Sequence, residues 1–204
     1  MRMRKKKHSA ERIAACDEYF IHSPDEIIKK PVYLEIGCGK GAFVTESARR
    51  EPEISFVAME KVTDVILLAA EKLKAEGIGN VRLLNCDAEQ LPLYFKKGEV
   101  SRIYLNFSDP WPKKGYAKRR LTHSRFLALY RSVLADDGAI FLKTDNRALF
   151  DFSLEEMQAA GFRLENITYD LHHSEFQADN VMTEYETAFA AKGFPIHRVE
   201  AYLN

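Results

Sequence analysis

One stretch limits the fold of this chain more than any other. Residues 32–51 read VYLEIGCGKGAFVTESARRE, an apolar strand (32–37), a glycine-rich turn and a helix (42–51) that stops before Pro52. The same rhythm continues downstream. ISFVAME (54–60) is a second strand, and TDVILLAAEKLKAEG (63–77) is a helix with Thr63 as expected N-cap and Gly77 as expected C′ residue. Its Val65, Leu68, Ala69 and Leu73 are expected to face the core. VRLLNC (81–86) and RIYLNF (102–107) are the third and fourth strands. Phe126, Tyr130, Val133 and Leu134 then recur at helical spacing. AIFLKT (139–144) is the fifth strand, after the turn signal Asp136-Asp137-Gly138. A helix over 147–160 and strands at 162–171 and 197–203 complete the pattern. Strands alternating with helices build a parallel sheet covered on both faces.

The chain has 204 residues, 46% of them apolar, which suits one large domain. No apolar run approaches the ~18 residues that cross a bilayer. The basic start, MRMRKKKHSAER, has no apolar stretch behind it and does not read as a secretory signal. Cys16, Cys38 and Cys86 show no paired spacing, so a reduced, cytoplasmic setting is expected. Residues 1–30 read as a basic arm with a helix, and 31–204 as a single domain.

The formal net charge is zero but unevenly spread. Residues 1–12 carry +5, residues 113–125 carry +6, and the remainder carries −11. Phosphate contact needs a local field rather than a basic pI, so such patches are compatible with nucleic acid. The N-terminal run reads equally well as a frayed end.

In parallel α/β sheets ligands bind beyond the carboxyl ends of the strands. The residues just past strands one to five are Gly37–Gly41, Glu60, Asp87, Asn106–Trp111 and Thr144–Asn146, and four of these five places carry an acid. One acid is readily a helix cap; four are less readily so. Gly37, Gly39 and Gly41 let the backbone turn and approach a ligand. Gly37-x-Gly39-x-x-Ala42 also fits the loose dinucleotide pattern, which keeps an NAD-dependent oxidoreductase as an alternative. Glu35, two residues before Gly37, would repel a pyrophosphate but suits an ammonium group. S-adenosylmethionine carries an ammonium and a sulfonium and no phosphate. Glu60, 19 residues after Gly41, is placed to accept from both ribose hydroxyls, and Asp87 to face an adenine edge. Together these resemble the class I S-adenosylmethionine-dependent methyltransferases. Cys38 reads as a small packing residue rather than a nucleophile.

The fourth strand runs into NFSDPWPKKGYAKRRL (106–121). Asp109-Pro110-Trp111-Pro112 is similar to the strand-end motif of methyltransferases that modify ring or amide nitrogens, and the prolines stiffen it. Trp111 is either a wall of the site or a plug in the core. Lys113, Lys114, Lys118, Arg119 and Arg120 would place cations at the mouth of a pocket, and Tyr116 a ring for stacking.

Five motifs in order, LEIGCGKG, YLNFSDPWPKK, AKRRLT, FLKTDN and VMTEYE, resemble those of bacterial tRNA (guanine-N7)-methyltransferases over almost the whole chain. The resemblance implies a Rossmann-like class I methyltransferase fold, α/β, with a mostly parallel seven-stranded sheet and helices on both faces. It implies S-adenosylmethionine as cofactor, bound by Glu35, Gly37, Gly39, Glu60, Asp87 and Asp109, with Asp109 also catalytic. It implies substrate contacts from Lys113, Asp145, Thr183, Glu184, Tyr185 and Glu186, and RNA contacts from Lys114, Gly115, Tyr116, Lys118, Arg119 and Arg120. The methylated base would be a guanine of the tRNA variable loop. The expected partner is tRNA, with no membrane and no metal, for a monomer or a homodimer. The chain departs from the family at Gly115-Tyr116, where a basic residue and His are common, and at Cys38, where Ser is common. A non-catalytic RNA-binding protein on this fold is the other alternative, against which the four acids speak.

Guanine N7 has a lone pair and no proton, so methylation there needs alignment and charge stabilisation rather than a base. A carboxylate suits the charge that develops, and it accepts from guanine N1–H and the 2-amino group. Asp109, Asp145, Glu184 and Glu186 are the acids considered for this. VMTEYE also reads as a helix start with Thr183 as N-cap and Glu186 closing a capping box. His172-His173 has no matching ligand cluster and is not expected to hold metal.

Overall fold

A computed structural model describes residues 9–27, 31–190 and 192–203. Its helices are α1 (Ser9–Ala14), α2 (Ala42–Arg50), α3 (Thr63–Ala75), α4 (Leu91–Tyr94), α5 (Ser124–Val133), α6 (Arg147–Ala159) and α7 (Glu184–Ala190). Its strands are β1 (Val32–Ile36), β2 (Phe56–Met59), β3 (Val81–Leu84), β4 (Val100–Asn106), β5 (Leu134–Thr144), β6 (Phe162–Thr168) and β7 (His197–Leu203). They form one sheet in the order β3-β2-β1-β4-β5-β7-β6. The pairs from β3 to β5 are parallel, and β7 runs antiparallel between β5 and β6.

Alternation along the strands divides the interior into two cores. In β2, Val57 and Met59 join Leu34, Ile36, Ile103, Leu127 and Phe150 on the face covered by α5 and α6. Phe56 and Ala58 point the other way, to Val44, Ile66, Ala69 and Leu73 of α2 and α3. Both faces of the central strands are thus dry, which is why they read as near-continuous apolar runs. Cys16, Tyr19 and Phe20 are buried in the second core, and Ile21 N–H bonds the Leu83 carbonyl at 2.9 Å. Residues 16–21 of the expected arm therefore pack against the sheet and α1 lies against α3, whereas residues 1–8 and 28–30 lie outside the described residues.

Several expectations shift. Val62, not Thr63, precedes α3, and the Thr63 hydroxyl donates to Asn85 Oδ1 at 2.8 Å. The buried face of α3 is Ile66, Leu67, Ala69, Ala70 and Leu73, while Val65 and Leu68 are half-buried. Val65 lines a cavity instead. The α3 exit is as expected: Gly77 has φ +66°, and Ile78 N–H reaches back to the Leu73 carbonyl at 3.0 Å. Asp136-Asp137-Gly138 does not precede a strand but bulges within β5, whose register jumps from Val100↔Leu134 to Arg102↔Ala139. Among the described residues no helix is long and apolar enough to cross a membrane.

Candidate active site

Connections leave β1 toward β2 on one side, while β4 lies on the other. The carboxyl ends of β1 and β4 therefore part around a crevice, the switch point of the sheet. Two adjoining cavities open there and share Gly37 and Phe107. One, about 430 Å³, is lined by Glu35, the glycine turn, Asn106 and Thr183–Tyr185. The other, about 280 Å³, is lined by Glu60, Asp87, Asp109, Trp111 and Arg119. A larger cavity of about 530 Å³ lies between the starts of β2 and β3, away from these strand ends.

The glycines shape this crevice. Gly37 and Gly39 have φ of +80° and +58°, a region that suits glycine. The Gly37 and Cys38 amides both donate to the Met59 carbonyl, at 2.8 and 2.9 Å, which draws the turn toward β2. Gly41 meets a different demand, since a Cβ there would lie 2.8 Å from Ala69 Cβ. Cys38 is buried, and burial pushes its thiol up, as suits a packing residue rather than a thiolate.

Glu35 is only 2% exposed. Asn106, at the end of β4, donates to its Oε1 at 3.0 Å, and its Oε2 has no hydrogen-bond partner. Burial pushes the carboxyl up to about 7, against the pull of the Asn106 amide and Lys143. A buried acid with one oxygen unpartnered beside a cavity fits a ligand that brings a cation or donors of its own.

In the second cavity Glu60 Oε1 accepts from Val62 N–H at 2.9 Å, and Asp87 Oδ1 accepts from Glu89 N–H at 3.2 Å. Asp87 Oδ2 lies 3.8 Å from the Lys61 ammonium at the rim of this cavity. Asp109 is exposed at the edge of the same cavity. The loop that carries it is bent sharply: Phe107 and Trp111 have φ of +52° and +41°, unusual for such large residues. Trp111 is half-buried and lines the cavity, so it stands as a wall and not as a core plug.

The basic run divides in two. Lys113, Lys114, Gly115, Tyr116 and Lys118 are exposed. The Arg119 guanidinium lies 4.8 Å from the ring centres of both Trp111 and Tyr116. Arg120, expected at the RNA surface, turns inward. It donates to the Pro110 and Trp111 carbonyls at 3.0 and 3.1 Å and so holds the bent loop.

The last motif comes back over the first cavity. Thr183 caps α7 by accepting Glu186 N–H at 2.9 Å, and Tyr185 donates to Asp145 Oδ2 at 3.3 Å. Glu184 bridges Lys40 and Lys72 at 3.3 and 2.7 Å. Glu186 does not line the cavity: it is fully buried, with Lys143 at 2.7 Å, Asn180 at 2.7 Å and His172 at 3.0 Å. His173 pairs instead with Asp170. Asn106 and Phe107 fall in the expected strand-end stretch, though motif reading assigns neither a role; Lys143 is the site feature that it passes over. Lys143 had a visible signal, a lone charge in the apolar run AIFLKT.

A family model described as a putative methyltransferase matches residues 29–199. A tRNA (guanine-N(7)-)-methyltransferase of Geobacillus kaustophilus (strain HTA426) is 48% identical over 98% of this chain and 96% of its own length. One of Brevibacillus brevis (strain 47 / JCM 6285 / NBRC 100599) is 51% identical over 84% of this chain and 80% of its own length. Among solved structures, the 16S rRNA methyltransferase KamB superposes with a TM-score of 0.65 at 15% identity, over 100% of this chain and 96% of that one, a likeness of fold.

Proposed function

The chain belongs to the tRNA (guanine-N(7)-)-methyltransferase family, and we propose that it moves a methyl group from S-adenosylmethionine to N7 of a guanine in the tRNA variable loop. The observation that carries this reading is the buried Glu35 with its free Oε2, joined through Gly37 and Phe107 to the cavity of Glu60 and Asp87. Acids at both ends fit a nucleoside that carries an ammonium and no phosphate. Glu35 takes the ammonium, Glu60 the ribose hydroxyls and Asp87 the adenine edge. When bound, S-adenosylmethionine supplies an electrophilic methyl group.

The protein's own part is alignment and charge. Guanine N7 attacks with its lone pair and gives up no proton, so no base is needed at that atom. Asp109 stands at the end of the loop that Arg120 holds bent. Its carboxylate accepts from the guanine N1–H, which becomes more acidic as N7 gains its methyl group, and so it binds the transition state more tightly than the substrate. Tyr185, tied to Asp145, forms the facing wall. Lys113, Lys114 and Lys118 hold phosphates, and Tyr116 offers a ring to a base. The relatives lend no support to an oxidoreductase or to a non-catalytic RNA-binding protein.

The test is transfer of labelled methyl from S-adenosylmethionine to unmodified tRNA, followed by nucleoside analysis. Label at 7-methylguanosine is the expected result. Cofactor binding without transfer, or label on another nucleoside, would refute the reading.

A further inference from the structure

Lys143 places a charge in an otherwise apolar strand. Its side chain is 8% exposed, and it lies beside Asn106 in the register of β4 and β5. Asn106 in turn donates to Glu35 Oε1 at 3.0 Å. The ammonium donates to Asn180 Oδ1 at 2.9 Å, the Val181 carbonyl at 2.7 Å and Glu186 Oε2 at 2.7 Å. Its three hydrogens thus meet three acceptors, all from residues 180–186.

Glu186 is the other half of this anchor. Its Oε1 takes the Asn180 amide at 2.7 Å and faces His172 at 3.0 Å, and its backbone N–H closes the cap on Thr183. Burial lowers the Lys143 pKa while Glu186 raises it; burial raises that of Glu186, but Lys143 and the surrounding bonds outweigh it. The net direction is downward for both: burial outweighs Glu186 at Lys143, and Lys143 with its neighbouring donors outweighs burial at Glu186.

We propose that Lys143 is a positioning residue that, through Glu186, fixes Thr183–Tyr185, holds the Tyr185 ring 5.1 Å from Phe107 of the Asp109 loop and so sets where the guanine is held. The inference rests on the methyl-transfer reading. Neither stability nor helix propensity accounts for the pair. A buried ion pair adds little stability over apolar residues of the same volume. A helix as short as α7 does not hold its own place. From outside, Glu184 has only partly exposed ion pairs with Lys40 and Lys72, which contribute little. Tyr185, 43% exposed over the cavity, also meets Asp145 at 3.3 Å and the rings of Phe107 and Phe189 at 5.1 and 4.1 Å, but the buried anchor fixes the turn that carries it.

Lys143→Met alone would strand a buried carboxylate, so the test uses Lys143→Met/Glu186→Gln, which removes both charges at similar volume. Tyr185→Ala is made in the wild-type and in this background, and tRNA methylation kinetics and the S-adenosylmethionine Kd are measured for all four proteins. The paired variant is expected to keep the Kd within about twofold and to lose about tenfold or more in kcat/KM for tRNA. Tyr185→Ala is expected to lower kcat/KM in the wild-type and to cost less than about twofold more in the paired variant, because the wall is already displaced. The same factor in both backgrounds, an unchanged kcat/KM for tRNA, or equal loss of cofactor and tRNA binding would overturn the positioning role. If the paired variant does not fold, Glu186→Gln alone is read by the same cycle. Wild-type protein that leaves guanine N7 unmethylated overturns the functional reading itself; wild-type transfer with an additive cycle overturns only the role of Lys143.

Discussion

Asn106 and Glu35 lie 71 residues apart and meet inside the molecule, where the amide donates to Oε1 at 3.0 Å and Oε2 stays buried without a partner. One end of the carboxyl is fixed and the other is left for a ligand. The free protein bears the cost of this arrangement, and its pH behaviour should reveal it.

Glu35→Gln should stabilise the ligand-free protein at pH 8 and not at pH 4.5. The folded carboxyl keeps its proton up to about 7, whereas an unfolded glutamate releases it near 4.5. Its contribution is therefore full below pH 4.5 and lost as pH rises through 7. The gain at pH 8 is on the order of 3 kcal/mol. Thermal melts of both proteins at the two pH values check this, and an equal Tm difference at both would refute it.

The same group should make cofactor binding depend on pH. An ammonium ligand prefers the carboxylate, so the Kd for S-adenosylmethionine should be about tenfold weaker at pH 6 than at pH 8. Calorimetry at the two pH values measures it. In Glu35→Gln the dependence should vanish together with most of the affinity.

Asp109→Ala should lower kcat by about a hundredfold or more while leaving the cofactor Kd measurable. Single-turnover methylation and calorimetry on the same preparation separate the two effects. A near wild-type rate would remove Asp109 from the catalytic role.

Lys118 and Arg120 are separated by one residue but should behave differently. Lys114→Ala/Lys118→Ala should weaken tRNA binding and flatten its dependence on salt. Arg120→Ala should lower kcat with the salt slope unchanged, because its guanidinium is spent on the Pro110 and Trp111 carbonyls. Filter binding across a salt series, beside turnover assays, decides between them.

Gly41→Ala should destabilise the fold by about 1–3 kcal/mol, since its Cβ would press on Ala69 in a backbone conformation that disfavours any side chain. The urea midpoint reports the change.

Much of this could be read from the chain because short-range rules dominate where strands end. The glycine turn, the acids after β2 to β5 and the Thr183 cap follow from local pattern. What escaped depends on tertiary packing. The buried face of α3 departs from simple helical spacing because Val65 is turned to a cavity, a fact set by β1 and α7. Arg120 reads as an RNA-facing cation, and Glu186 as a substrate contact or capping acid. The bend of the loop just upstream draws Arg120 inward, and Lys143, 43 residues before Glu186 in the chain, draws that acid in.

Trp111 is the only tryptophan in the chain, and it stands where the Asp109 cavity meets the basic turn. Arg119 lies 4.8 Å from its ring, and Tyr116 presents an edge at 6.0 Å. The unlabelled protein thus carries a single indole, which can be excited apart from its 9 tyrosines, at the junction of its two ligands, with a cation seated on it. A nucleic acid that draws Arg119 away, or a nucleoside that enters beneath the indole, changes the emission of that one ring. Both arrivals can therefore be followed in time, and in order, by light alone.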